Sequence, residues 1–215
     1  MSINAAIFDM DGVLVDSEKH WHIIEHSFCG ELGVASKQVE PKDLIGKSLS
    51  DITRVFQKYN PSITFEEVYR FYDRHADEVY KKKVQLMPGV KKTLDMLSDR
   101  GVVMAIASSS PRRWIDLVVA RFGLEKYFQD LFSTQTMGLP GKPDPAVYVQ
   151  CMAKLGHSGK NVVVFEDSFV GMMAAKKSGA FTIALPDKRW EGIDFSAADC
   201  VFDSMEMVTS ELLFS

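Results

Sequence analysis

From Pro88 to the C-terminus the chain alternates short apolar runs with helical periodicity, and that alternation leaves few folds open. Val90 to Arg100 reads as a helix closed by Gly101, and Val102 to Ala107 as a strand. Pro111 to Phe122 is a helix with proline at its start, where a missing N–H costs nothing. Asp130 to Ser133 reads as a short strand, Pro145 to Leu155 as a helix, and Asn161 to Phe165 as a fully apolar strand ahead of Glu166-Asp167. Ser168 to Ser178 is a helix and Phe181 to Leu185 a strand. Val201-Phe202 offers a last strand before a C-terminal helix. Strands that alternate with helices in this way predict an α/β fold, a doubly wound, Rossmann-like parallel sheet.

The sheet gains one more strand from the N-terminus. Asn4-Ala5-Ala6-Ile7-Phe8 is a buried-strand run, and Asp9-Met10-Asp11-Gly12-Val13-Leu14 follows it directly. Two carboxylates two residues apart fit poorly in a core. In an open α/β sheet the carboxyl ends of the strands are where ligands bind. There one carboxylate can act as a nucleophile and the other as acid and base. By itself D-x-D-G reads equally well as a turn, since Asp and Gly are both turn residues.

Between these two parts the pattern is helical throughout. Trp21, Ile24, Phe28 and Leu32 repeat at helical spacing up to Gly33. Ser50 to Tyr59 and Thr64 to Lys83 read as two more helices, and Thr64 and Glu67 have capping-box spacing. The expected division is a core of residues 1–15 and 83–215 with an all-helical insertion, residues 16–82, lying over the carboxyl edge of the sheet as a cap.

Composition narrows the function. At 46% hydrophobic and 25% charged, the 215 residues match an ordinary globular protein. A net charge of −4 argues against nucleic acid as a partner. No apolar run reaches membrane-span length, and the first residues carry no basic segment of the signal-peptide kind. Cys29, Cys151 and Cys200 are far apart, outside any metal-ligand spacing, and read as reduced thiols. A cytoplasmic monomer, away from nucleic acid and membranes, is the expectation.

Three further polar signals fall where strands should end. Ser108-Ser109-Ser110-Pro111 offers hydroxyls and free N–H groups at a helix start, which suit a phosphate; an N-cap by Ser110 accounts for part of it. Gly141-Lys142-Pro143-Asp144-Pro145 is a rigid loop that can aim one ammonium, although most surface lysines have no such task. Adjacent Glu166 and Asp167 repel each other unless a cation or water shares them. Helix capping explains one of them only. Oxygen ligands with open positions are what Mg²⁺ takes when it also holds a phosphate.

Taken in order, D-x-D-G, Ser, Lys-Pro and Glu-Asp, each at a strand's carboxyl end and with a helical insertion after the first, resemble the haloacid-dehalogenase-like phosphotransferase superfamily over essentially the whole chain. Phe165-Glu166-Asp167-Ser168-Phe169-Val170-Gly171-Met172 is similar to the small-cap subgroup containing β-phosphoglucomutase and sugar-phosphate phosphatases, including the 2-deoxyglucose-6-phosphatase group. The resemblance implies Asp9 as nucleophile and Mg²⁺ ligand. It implies Asp11 as general acid/base, with its carbonyl on the metal. Ser108 and Lys142 would hold the phosphoryl oxygens, with the Ser109 N–H as helper. Asp167 would bind Mg²⁺ directly, and Glu166 directly or through water. The second acid, Asp11, sets the chain apart from the dehalogenase branch.

Within that subgroup, two cap positions favour hydrolysis. Where the mutase carries a His on the first cap helix this chain has Trp21, and His20 and His22 point elsewhere on a helix. Where the mutase has a phosphate-gripping Arg after Gly-x-Ser, Gly46-Lys47-Ser48 leads to Leu49, with Lys47 close by. Trp21 is equally readable as a core residue of the cap. A Mg²⁺-dependent phosphatase of small phosphomonoesters, hexose or other sugar phosphates, working through an aspartyl-phosphate, is the leading expectation. Trp21 and Lys47 would join Ser108, Ser109 and Lys142 around its substrate. A β-phosphoglucomutase-type mutase, a phosphonate hydrolase using Lys47 as a Schiff base, and a non-catalytic phosphate sensor are the alternatives.

Overall fold

The computed structural model describes residues 2–40, 43–187 and 192–215. Strand β1, Ala5–Phe8, is buried at every position and leads into the D-x-D-G turn. A helical stretch follows, with α1 (Glu18–Glu31), α2 (Leu49–Gln57) and α3 (Phe65–Glu78). The capping box expected at the start of α3 is present. Glu67 N–H donates to Thr64 Oγ1 at 3.3 Å and Thr64 N–H to Glu67 Oε2 at 2.8 Å, a motif worth about 1 kcal/mol. The sequence reading ran this helix to Lys83. Instead α3 gives way to a π turn over Val79–Lys83, a widening that is frequent at functional sites.

Alternation then begins as the apolar runs predicted. The elements are α4 (Val90–Asp99), β2 (Val103–Ser108), α5 (Arg112–Phe122), β3 (Phe128–Ser133), α6 (Thr134–Met137), α7 (Ala146–Leu155), β4 (Val162–Glu166), α8 (Phe169–Lys177), β5 (Phe181–Ala184), β6 (Cys200–Val201) and α9 (Ser210–Phe214). Boundaries differ from the sequence reading by one or two residues at most strand ends. The C-terminal helix is a short piece, and α6 carried no sequence signal beyond its Ser133 cap, whose side chain accepts from Thr136 N–H.

Among the described residues the six strands are all parallel, in the order β3-β2-β1-β4-β5-β6. The period-2 side-chain rule divides the core cleanly. Ala6, Phe8, Met104, Ile106, Val163 and Phe165 share one hydrophobic cluster with α4, α5 and the helical stretch. Ala5, Ile7, Ala105, Ala107, Val162 and Val164 share the other with α7 and α8. Phe8 and Phe165 stack with centroids 4.7 Å apart.

This order places β1 between β2 and β4, where the chain leads away in opposite directions, the position at which open sheets bind ligands. Phe8 lies level with Ile106 and Phe165, so Asp9 stands beside the ends of both neighbours. The segments that join the helical stretch to the sheet pair with each other. Asp16 N–H donates to the Gln85 carbonyl at 3.1 Å, and Met87 N–H to the Leu14 carbonyl at 2.9 Å. Among the described residues no helix is long and apolar enough to cross a membrane, and all three cysteines are free.

Candidate active site

Four residues meet behind the end of β1. Lys142, from the loop before α7, donates from Nζ to Asp9 Oδ1 at 2.6 Å and to Glu166 Oε1 at 2.5 Å. The lysine is 4% exposed and Glu166 fully enclosed. Carboxylate oxygens of Asp9, Glu166 and Asp167 all lie within 4.8 Å of one another. These four are the acids and the lysine singled out at strand ends in the sequence. The loop that carries Lys142 reads as a surface feature in the sequence, and the fold buries its ammonium.

Burial dominates the electrostatics. It pushes the Asp9 carboxyl up to about 8, against the pull of Lys142 and with the help of Glu166 and Asp11. Burial also raises Asp167 well above the carboxylate range, and Glu18, Glu166 and Asp9 raise it further. For Lys142 burial disfavours the charge, but Asp9 and Glu166 more than offset it and hold the ammonium protonated. Fully ionised, three carboxylates against one ammonium would leave two negative charges in a buried cluster; protonation of Asp9 and Asp167 is one relief of that charge and a bound cation is the other.

Asp167 Oδ2 is buried and, among the described residues, has no hydrogen-bond partner. It lies against Gly12, where a Cβ would stand 1.9 Å from it and where φ is +78°. An orphaned carboxylate oxygen, and three acids that can all ionise together only beside added positive charge, are what a hard divalent cation satisfies, so these residues fit Mg²⁺. Glu166 is differently placed. Its Oε1 also accepts from the Tyr148 hydroxyl, and its Oε2 from Ser168 Oγ at 3.3 Å.

Asp11 points away from this cluster, into a cavity of about 60 Å³ floored by Asp9, Ser108, Ser109 and Ser110. Three hydroxyls hold its carboxylate. Ser17 and Tyr80 donate to Oδ1 at 2.6 and 2.7 Å, and Ser110 donates to Oδ2 at 2.7 Å. This corrects the reading of Ser110 as an N-cap. Pro111, whose ring offers no acceptor, occupies the N-cap of α5, and the Ser110 hydroxyl serves Asp11. Ser108 Oγ accepts from Ser110 N–H at 3.0 Å, and Ser109 Oγ donates across to the Gly46 carbonyl at 3.1 Å.

Trp21 and Lys47 both line this cavity, on its roof. Trp21 is 6% exposed, so the two readings of it merge: it packs as core and one edge faces the cavity. Its ring stacks on Trp114 of α5 at 5.5 Å, and its Nε1–H donates to Tyr80 Oη at 3.1 Å. Lys47 Nζ donates to the Asp43 carbonyl at 2.5 Å. Lys47 and Asp167 also share a second cavity of about 260 Å³.

The sequence reading missed Ser17, Tyr80 and Tyr148. Ser17 follows D-x-D-G by a few residues, and that nearness is the sequence signal for its contact with Asp11. The tyrosines lie in helical patterns where an aromatic residue reads as core, and nothing in their spacing separates them from it.

Glu25, one turn beyond Trp21 on α1, is a half-buried acid of the same cavity. Burial pushes its carboxyl up to about 7, against the hydrogen bond from the Tyr72 hydroxyl at 2.6 Å. Glu18, Tyr72 and Cys29 are the titratable groups coupled to this corner. Below pH 4.5 the acid is neutral folded and unfolded. From there up to about 7 only the unfolded chain gives up the proton, so its contribution to stability is lost as pH rises through the folded value. Glu25→Gln has no such loss. Thermal melts at pH 4.5 and pH 8 should show the variant gaining on the wild type at the higher pH; a constant gap would contradict the shift.

The whole constellation has counterparts in known proteins. The model of the haloacid dehalogenase-like hydrolase family matches residues 6–185. Hexitol phosphatase B of Escherichia coli (strain K12) is 33% identical, with 97% of this chain and 96% of that protein covered. A phosphorylated carbohydrates phosphatase of Thermotoga maritima is 28% identical, covering 82% of each. The crystal structure of β-phosphoglucomutase from Clostridium difficile superposes with a TM-score of 0.80 at 20% identity, over 98% of this chain and 95% of that one. It shares the fold, the parallel sheet together with the helical stretch after its first strand. The chain therefore belongs to the haloacid dehalogenase-like hydrolase family, and within it is a phosphoric monoester hydrolase.

Proposed function

We propose that this enzyme is a Mg²⁺-dependent phosphatase of sugar monophosphates that works through an aspartyl-phosphate on Asp9. The observation that carries the reading is the buried Lys142–Asp9–Glu166–Asp167 cluster directly beneath a cavity floored by Asp9 and Ser108. The phosphatase relatives named for hexitols and phosphorylated carbohydrates support the sugar.

Lys142 fixes Asp9 through Oδ1, leaving Oδ2 without a protein donor among the described residues. Oδ2 attacks phosphorus, the bond from phosphorus to the sugar oxygen breaks, and Asp11 gives that oxygen a proton. Water then attacks the aspartyl-phosphate, Asp11 takes its proton, and the Asp9–phosphorus bond breaks to release inorganic phosphate. Ser17, Tyr80 and Ser110 hold Asp11 for both transfers. Ser108, the Ser109 N–H and Lys142 hold the phosphoryl oxygens. Asp9, Asp167 and the Asp11 carbonyl would hold Mg²⁺, with Glu166, already engaged by Lys142, Tyr148 and Ser168, acting through water. The bound ion supplies positive charge where two anions must meet.

In this reading residues 16–82 form a cap over the core of 1–15 and 83–215. The Ser109–Gly46 contact and the Trp21–Trp114 stack then belong to the closed state. A Cβ on Gly46 would come within 2.5 Å of Ser168 Oγ, so the approach is tight. Opening would turn on the paired segments near Val15–Ser17 and Gln85–Gly89, and closure would exclude water.

The cavity also weighs hydrolysis against transfer. Among the described residues, Asp9, Asp11, Glu18 and Glu25 line it against a single cation, Lys47, and Leu49 occupies its wall. That charge balance disfavours a second phosphate, which a mutase must retain. With hexose 6-phosphates and a trace of β-glucose 1,6-bisphosphate, phosphorus NMR should show phosphate release outpacing interconversion with β-glucose 1-phosphate. Faster isomerisation would overturn the phosphatase reading.

A further inference from the structure

We propose that Glu25 selects the substrate by its far end, accepting hydrogen bonds from hydroxyls of a neutral polyol chain and turning away a second anion there. The proposal rests on the phosphatase reading and adds the chemical class of what is attached to the phosphate.

The layout of the cavity gives the direction. Asp9 and the serines after β2 form the floor, where a phosphoryl group would lie. From that floor a chain of contacts climbs one wall: Tyr80 donates to Asp11, Trp21 donates to Tyr80, and Tyr72 packs on Trp21 at 5.2 Å and donates to Glu25. Glu25 is therefore separated from Asp11 by three aromatic side chains. It shares a face of α1 with Glu18 and Trp21, at spacings of seven and four residues, and that face lines the cavity. An acid at this distance from the floor is remote from the phosphorus chemistry and near the other end of any substrate longer than a few atoms.

Packing alone gives no reason for an acid here. Tyr72 needs an acceptor for one proton, which a neutral amide or a carbonyl would provide without burying a carboxyl group. The hydrogen bond from Tyr72 occupies Oε1 and orients the group. Among the described residues Oε2 accepts no hydrogen bond from the protein, so one oxygen remains for a ligand. The walls beside it, Trp21, Trp114, Tyr72 and Ile52, suit the C–H faces of a polyol, and the carboxyl group suits its hydroxyls. Above about pH 7, where Glu25 is ionised, a carboxylate or second phosphate at this end would meet like charge.

The test compares three phosphomonoesters on wild type, Glu25→Gln and Glu25→Leu with Mg²⁺ present. Sorbitol 6-phosphate and gluconate 6-phosphate differ only at the end remote from the phosphate, and p-nitrophenyl phosphate carries no hydroxyl. Glu25→Leu should lower the kcat/KM ratio of sorbitol 6-phosphate to p-nitrophenyl phosphate by about 10–100-fold, the size of a lost charge-assisted hydrogen bond. Most of the change should appear in KM. Glu25→Gln keeps an acceptor for Tyr72, so it reports even if the leucine variant folds poorly. It should narrow the preference for sorbitol 6-phosphate over gluconate 6-phosphate at least several-fold. If both ratios stay within about two-fold of wild type in Glu25→Gln, or if all three substrates lose activity equally, the assignment is overturned. Wild-type enzyme inert toward all three would instead overturn the phosphatase reading beneath it.

Discussion

Asp9→Asn should abolish turnover, by at least about 10⁴-fold, on the order of what removing a nucleophile from a cooperating set costs. The amide is nearly the shape of the acid, and Lys142 keeps Glu166 as its partner at 2.5 Å, so the buried ammonium is not left alone. The repulsion among Asp9, Glu166 and Asp167 falls at the same time. In EDTA the variant should therefore melt no lower than the wild type, which separates lost chemistry from lost structure. Asp11→Asn should cost less, about 10²–10⁴-fold, the usual worth of a general acid or base. It should slow the formation and the hydrolysis of the aspartyl-phosphate alike. Phosphate release under saturating substrate measures both variants. Asp9→Asn with more than a hundredth of wild-type activity would remove Asp9 from the nucleophile's place.

That experiment addresses residues legible from the sequence alone, and the reason they were legible is geometric. A strand of four buried residues has to end, and polar groups directly after it must sit at the sheet's edge. Asp9, Ser108, Glu166 and Asp167 were found that way, and the strand order then brought them together. The order itself left no trace, because each apolar run would pair equally well with several others. Ser110 was misread for a related reason. A serine just before Pro111 at a helix start looks like a cap, and only the fold shows that its hydroxyl donates a hydrogen bond to Asp11, 99 residues away in sequence. Tyr80 was hidden more deeply. Its hydroxyl acts through a π turn in what reads as one long amphipathic helix, and periodicity reports where a side chain is buried but not what its polar end meets.

Removing the metal should be the other near-total loss. In EDTA turnover should vanish and return on adding Mg²⁺, because Asp9 and the phosphate, both anionic, would otherwise have only Lys142 between them. Ca²⁺ should fail to replace it, since it prefers more ligands and looser geometry than an in-line displacement tolerates. A readout free of turnover comes from stability. A cation that binds only the folded chain adds about 2.7 kcal/mol at a hundred times its Kd, or roughly 5–10 °C in Tm for a chain of this length. Gly12 makes that shift diagnostic. A methyl group there would press on Asp167 Oδ2 at 1.9 Å, and its φ of +78° disfavours any side chain. Gly12→Ala should therefore lower the metal-free Tm and also shrink the Mg²⁺-induced rise, because the buried Asp167 Oδ2, which has no partner among the described residues, is pushed aside. Asp167→Asn should shrink the rise without the backbone strain, since it removes charge and leaves the turn intact. If both variants kept the full Mg²⁺-dependent rise, the cation would be binding elsewhere, and the excess charge around Lys142 would need another explanation.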